Sequence, residues 1–167
     1  MLASPLKFFS VFLTLVLVAG CGFQLRGSAG FPAELTPLYI TEQNSILKQS
    51  LVTQFTQAEI ELSPSREAAR WQLWLSNVRH NKQQTTYSSG AISYELQAEV
   101  DYQLLTASGQ AVNTQQTLRA VKIYNSSDNL FSEESDINKL RMEMERDLAS
   151  RISRQIGRVT LPATQTP

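Results

Sequence analysis

From Leu35 to Val159 the spacing of apolar residues changes several times, and each change marks an element. Leu38-Tyr39-Ile40 is a short β-prone run after Pro37, and Asn44-Ser45 then offers an N-cap. The helix predicted there runs to about Gln57. It sets Ile46, Leu47, Leu51, Val52 and Phe55 on one side and leaves Lys48, Gln49, Thr53 and Gln54 to water. Glu59-Ile60-Glu61-Leu62 alternates like a strand until Ser63-Pro64 stops it. Trp71, Leu73 and Leu75 share one parity, whereas Trp74 and Val78 take the other, so Trp71 to Tyr87 reads as a long strand with a bulge. Either the two tryptophans lie on opposite faces or the bulge buries both. After Ser88-Ser89-Gly90, the residues Ile92, Tyr94, Leu96, Ala98, Val100, Tyr102 and Leu104 interleave strictly with polar ones. That period of two predicts one buried and one wet face, as in an antiparallel sheet with helices on one side. Ser108-Gly109 turns the chain into a third strand segment, Val112 to Tyr124.

The last element reads as a helix, with Ser132 or Ser135 as N-cap, Glu133, Glu134 and Asp136 near its start, and Gly157 near its end among Arg151, Arg154 and Arg158. Ile137, Leu140, Met144, Leu148, Ile152, Ile156 and Val159 form its apolar stripe. The whole order implies an α+β fold, two helices packed on one face of a mixed, roughly four-stranded sheet. A single α/β sandwich domain over 33–159 is expected, with 160–167 as a flexible tail.

Upstream the pattern differs in kind. A basic start at Lys7 precedes the apolar run Phe8 to Ala19, and the small residues Ala19-Gly20 stand before the chain's one cysteine, Cys21. The run matches the apolar region of a signal peptide and falls short of the ~20 residues a spanning helix needs. We therefore expect 1–20 to be a signal peptide, Cys21 to be the lipidation site, and 21–32 to be a lipidated tether. A disulfide within the chain would need a second cysteine. Burying acyl chains is worth roughly 0.8 kcal/mol per CH₂, so acylation at Cys21 would anchor the protein durably. Ala19-Gly20-Cys21 resembles a bacterial lipobox, and Gly22, where aspartate would be expected for inner-membrane retention, means that this resemblance implies the outer membrane.

Charge and chemistry narrow the function. Of 15 Lys and Arg only Lys7 precedes Cys21, so a chain starting there keeps 14 against 15 Asp and Glu. This balance, without a basic run, argues against nucleic acid as a partner. The seven glycines are scattered and give no phosphate-binding loop, so no nucleotide cofactor is expected. With a single histidine and Cys21 acylated, no metal site is expected. His80, the one candidate base, lies in a polar strand without an evident nucleophile. Glu95, Glu99 and Asp101 line one strand face, and Glu143 and Glu145 are splayed by their spacing of two on a helix. Arg79 to Gly90 is rich in hydroxyls and amides, which suits either a hydrated enclosure such as a barrel lumen or an exposed hairpin.

Cys21-Gly22-Phe23-Gln24-Leu25-Arg26-Gly27 resembles the mature start of the LptE family of lipopolysaccharide-assembly lipoproteins. The order of elements agrees, including Tyr94-Glu95-Leu96-Gln97 within a long strand and a final charged helix. The resemblance implies a non-enzymatic outer-membrane lipoprotein, palmitoylated at Cys21, that plugs and helps assemble the LptD β-barrel for delivering lipopolysaccharide to the cell surface. Lipopolysaccharide phosphates would need cations; the nearest to the hairpin are Arg79, Lys82 and Lys122, while the tip Tyr87-Ser88-Ser89-Gly90 lacks one. Arg26, Tyr87 and Ser89 are the residues expected to touch the barrel. Two rivals are a stand-alone periplasmic lipoprotein binding lipid or cell-wall material, which would show a hydrophobic cavity, and a hydrolase acting through His80.

Overall fold

The computed structural model describes residues 30–41, 45–86, 92–126 and 130–162. Phe31 enters the fold by setting its ring edge-on to Phe55, centroids 5.3 Å apart. A single 3₁₀ turn, Ala33–Leu35, leads to β1 (Leu38–Ile40). Helix α1 (Ile46–Gln57) follows, and its N-cap is Ser45, whose side chain accepts from the Lys48 amide at 3.2 Å. Leu47, Leu51 and Phe55 are its buried stripe. The helix closes with Glu59 in the left-handed region at φ 61°, the Glu59 amide donating to Thr56 O and the Ile60 amide to Phe55 O. This is the two-bond arrangement that commonly ends helices, with glutamate where glycine is usual. It also consumes Glu59 and Ile60, which is why the strand expected over Glu59 to Leu62 shrinks to one bridge, Leu62 to Leu38.

The remaining strands are β2 (Trp71–Leu75), β3 (Arg79–Thr86), β4 (Ile92–Thr106) and β5 (Gln116–Asn125). β1 pairs parallel with β2, and every other pairing is antiparallel. The sheet has five strands, but β2 and β3 follow one another along the same edge of β4, so its width is four. Between them lie Ser76, Asn77 and Val78, opposite only Val100 and Asp101. That is the bulge implied by the change of parity. One extra residue moves the helix-facing side chains from Trp71, Leu73 and Leu75 to His80, Lys82 and Gln84. Hydrogen bonds pin it, the Ser76 amide to Asp101 O and the Asp101 amide to Ser76 Oγ, both 2.8 Å. Trp71 is buried, with Nε1 donating to Glu34 O at 2.6 Å, whereas Trp74 is half-buried and lies on the opposite face.

Helix α2 (Leu130–Ile156) starts earlier than the sequence suggested. Ser132 and Ser135 lie within it, because a tie from Ser126 Oγ to Glu133 Oε2, 3.1 Å, brings the exit of β5 against its first turns. Met144, Leu148, Ala149, Ile152 and Ile156 are at most 1 % exposed and lie over Leu96, Ala98, Val100 and Leu104. Tyr102 is equally buried, and its hydroxyl donates to Gln116 Oε1 at 2.7 Å and contacts Gln155 Oε1, joining β4, β5 and α2. Burial pushes that phenol's pKa up. Both helices thus sit on one face of the sheet, and the other face is left without a layer.

Candidate functional site

The two faces of the distal sheet, where β3, β4 and β5 run together, differ in chemistry. On the uncovered face β4 presents Glu95, Gln97, Glu99, Asp101 and Gln103, since residues alternate across a strand. These groups are tied to one another. Arg79 makes a bidentate pair with Asp101, Nη1 to Oδ2 at 2.7 Å and Nη2 to Oδ1 at 3.2 Å. Thr117 Oγ1 donates to Asp101 Oδ1 at 2.6 Å, and Arg119 Nε donates to Glu99 Oε1 at 2.5 Å. The Arg79 guanidinium, aided by Thr117, holds the Asp101 carboxyl below the usual range, and Asp101 in turn raises Arg79. Val121 and Ile123 share this face at 47 % and 61 % exposure.

The helix-facing side of the same strands sets polar groups beside the buried Leu96, Ala98, Ala120 and Tyr124. Lys82 Nζ lies 2.9 Å from Glu133 Oε1 of α2 and 3.8 Å from the ring centroid of Tyr94. The hydrogen bond from Lys82, and then that from Ser126, lowers the Glu133 pKa. On β5, Lys122 Nζ lies 3.4 Å from Glu143 Oε2. His80 Nε2 is 3.1 Å from Glu145 Oε1, while Glu145 Oε2 accepts from the Leu47 amide in the first turn of α1 at 3.0 Å. The spacing of two does splay the carboxylates: Glu143 reaches β5, Glu145 reaches β3 and α1, and Met144 enters the core between them.

Of the cations expected to meet lipopolysaccharide, Lys82 and Lys122 are therefore brought together, in register on either side of Leu96 and facing α2. Arg79 stands apart, on the uncovered face, because it lies one residue out of phase with Lys82. All three are paired with carboxylates. Cys21, Arg26, Tyr87 and Ser89 fall outside the described residues. His80 serves as a clasp between β3 and α2, with Glu145 engaged in turn by a backbone amide. The partners Glu133, Glu143 and Glu145 were not singled out from sequence as binding residues; their signal is that they flank the apolar stripe of α2 instead of lying opposite it. Among the described residues no three His, Cys, Asp or Glu gather to hold a metal, and no helix is long and apolar enough to cross a membrane. An open groove of about 160 Å³ between β1 and α1, lined in part by Tyr39, Lys48, Val52 and Pro64, is below the ~300–1,000 Å³ of ordinary ligand pockets.

The two-layer α+β fold is a class already seen in solved lipoprotein structures. The described fold is similar to a minor lipoprotein of Acinetobacter baumannii, with a TM-score of 0.66, 22 % identity, and coverage of 81 % of this chain and 100 % of that one. It is equally similar to lipoprotein B of Nitrosomonas europaea, with a TM-score of 0.66, 22 % identity, and coverage of 81 % and 90 %. For rare lipoprotein B of Shewanella oneidensis the TM-score is 0.60, with 15 % identity and coverage of 72 % and 91 %. No curated protein matches the chain in direct sequence comparison. The family model for LptE, described as lipopolysaccharide-assembly, matches residues 35–156. The chain belongs to the LptE family of lipopolysaccharide-assembly proteins.

Proposed function

We propose that this protein is a non-enzymatic lipoprotein of the outer membrane, acylated at Cys21, whose folded domain lodges inside an LptD-type β-barrel and supports lipopolysaccharide delivery. Similarity to lipoproteins supports the anchor, and membership of the LptE family supports the pathway. The observation that carries the plug reading is the uncovered sheet face. A layer of amides, hydroxyls and mutually neutralised charges, from Gln97 through Arg79, Glu99, Asp101 and Arg119, matches a polar lumen better than it matches lipid or a second hydrophobic core. Val121 and Ile123 supply the limited apolar contact that a specific seat requires.

Within this reading Cys21 holds the chain to the periplasmic leaflet, Arg26, Tyr87 and Ser89 touch the barrel, and Lys82 and Lys122, with Arg79 on the opposite face, meet lipopolysaccharide. The test is native extraction of outer membranes followed by purification through a tag on this chain. A large β-barrel is expected to co-purify, and a photo-crosslinker at Gln97 or Val121 is expected to attach to it. Recovery of the chain free of any barrel, with no crosslink from either position, sinks the proposal.

A further inference from the structure

The two lysines that face α2 are both ion-paired, and both pair with the same helix. Lys82 on β3 and Lys122 on β5 flank Leu96 of β4 in register. Two strand spacings of roughly 4.8 Å set their backbones about 10 Å apart. Glu133 meets the first at 2.9 Å and Glu143 meets the second at 3.4 Å. Beside them is an unmet group. Tyr124, 8 % exposed, stands in register with Tyr94, whose ring underlies Lys82; yet its buried hydroxyl has no hydrogen-bond partner. Buried hydroxyls normally find one.

We propose that Lys82, Lys122, Tyr94 and Tyr124 form a site for a glycolipid bearing two anionic groups, and that Glu133 and Glu143 occupy this site as internal stand-ins until the ligand displaces them. The proposal deepens the lipopolysaccharide reading above and rests on it. A ligand with one phosphate reaches one lysine, whereas two phosphates replace both carboxylates and leave every charge paired. Tyr124 then gains the acceptor it lacks. The opening has a direction. The Lys122–Glu143 pair is half-exposed and long, so it yields first; the Lys82–Glu133 pair is drier and braced by Ser126, so it yields second. The early turns of α2 are also the less deeply seated ones. Ile137 is 7 % exposed and Leu140 is only partly buried, while Met144, Leu148, Ile152 and Ile156 are at most 1 % exposed.

The experiment measures binding of purified lipopolysaccharide to the full chain in zwitterionic detergent, with phosphatase-treated lipopolysaccharide as the second probe. Circular dichroism checks the fold of each variant. E133Q/E143Q is expected to bind untreated lipopolysaccharide about fivefold more tightly, the release of two partly exposed ion pairs. K82Q/K122Q is expected to lose affinity at least tenfold. Tyr124→Phe is expected to bind more weakly while its unliganded form is no less stable than the parent, which a merely structural role for the hydroxyl would not produce. Phosphatase treatment is expected to weaken binding and abolish the advantage of E133Q/E143Q. If the lysine variant loses affinity but E133Q/E143Q does not gain it, the stand-in role is overturned and the lipopolysaccharide reading survives. If binding is indifferent to all five residues, the site itself is overturned. Failure of the barrel to co-purify is a separate outcome, read in a separate experiment.

Discussion

Removing the carboxylate of Glu145 is expected to cost more than removing any other charged group of α2, because it caps a helix to which it does not belong. In the first turn of α1 the Lys48 amide is satisfied by Ser45, but the Leu47 amide depends on Glu145 Oε2, 98 residues away in sequence, at 3.0 Å. Glu145 is also 3.1 Å from His80, and its side chain is only 12 % exposed. In Glu145→Ala the Leu47 amide is left without an acceptor in a part-buried position, a loss of about 1–3 kcal/mol. Loss of negative charge at the positive end of α1 adds about 0.3–1 kcal/mol. The sum is about 1–4 kcal/mol, or roughly 4–16 °C in Tm for a domain of this size. In Glu145→Gln an acceptor oxygen remains for Leu47, so the expected loss is about 1 kcal/mol. Urea denaturation of both variants measures the difference, provided the slope with urea is unchanged. Two results refute the reasoning. An Ala variant within about 0.5 kcal/mol of the parent would mean that water satisfies the amide, and a Gln variant as damaged as the Ala variant would mean that the pair with His80 carries the effect.

Other outcomes follow from single features. Glu59→Gly is expected to stabilise the chain by about 0.5–1 kcal/mol, since glycine takes the left-handed backbone without the Cβ clash; a lower thermal midpoint would contradict this. Leu148→Ala, at a fully buried position on the inner face of α2, is expected to cost about 2–5 kcal/mol in the same urea assay. A cost below 1 kcal/mol would show α2 to be loosely seated. Asp101→Asn tests acid stability. Because its pKa is depressed in the fold, Asp101 contributes stability that is present above the unfolded carboxyl value near 4 and lost as pH falls through the lower folded value. Urea midpoints between pH 6 and 3 are therefore expected to fall less steeply in the variant than in the parent. Parallel profiles would remove the Arg79–Asp101 pair from the account.

Elements whose burial follows their own period were legible. β4 alternates from Leu96 to Leu104, where one face meets the helices, although at its start the order reverses, with Ile92 46 % and Ser93 4 % exposed; α1 runs from Ile46 to Gln57 as its capping residue and apolar spacing indicate. The parity conflict in Trp71 to Tyr87 also carried real information, since the bulge at Ser76 to Val78 is what reverses it. What escaped was set by contacts distant in sequence. Glu59 and Ile60 alternate like strand residues, but closing α1 uses them first. The partners of the cations escaped for the same reason. Nothing local says that Lys82 meets Glu133 across 51 residues, or that His80 meets Glu145 across 65. A polar strand beside an amphipathic helix with acids along the margins of its stripe is consistent with pairing, yet it does not choose the pairs.

Along β4 the means of holding the sheet changes. Towards Thr106 the helix-facing residues are Val100, Tyr102 and Leu104, all at most 1 % exposed, and the layers are held by apolar burial. Towards Ile92 the same face of the sheet carries His80, Lys82 and Lys122, and ion pairs with α2 join the apolar contacts of Leu96 and Ala98. Apolar burial is insensitive to the sign of an approaching ligand, whereas partly exposed ion pairs are weak, screened by salt and open to competition. The fold therefore has one end built to stay shut and another whose closure an anion can contest. The sequence reads Arg79 to Gly90 as suited to a hydrated enclosure or an exposed hairpin, and over Arg79 to Thr85 the strand is polar and largely exposed. Two of its side chains, His80 and Lys82, are nevertheless tied to acidic residues of α2, and these ties make the distal end of the domain responsive instead of merely exposed.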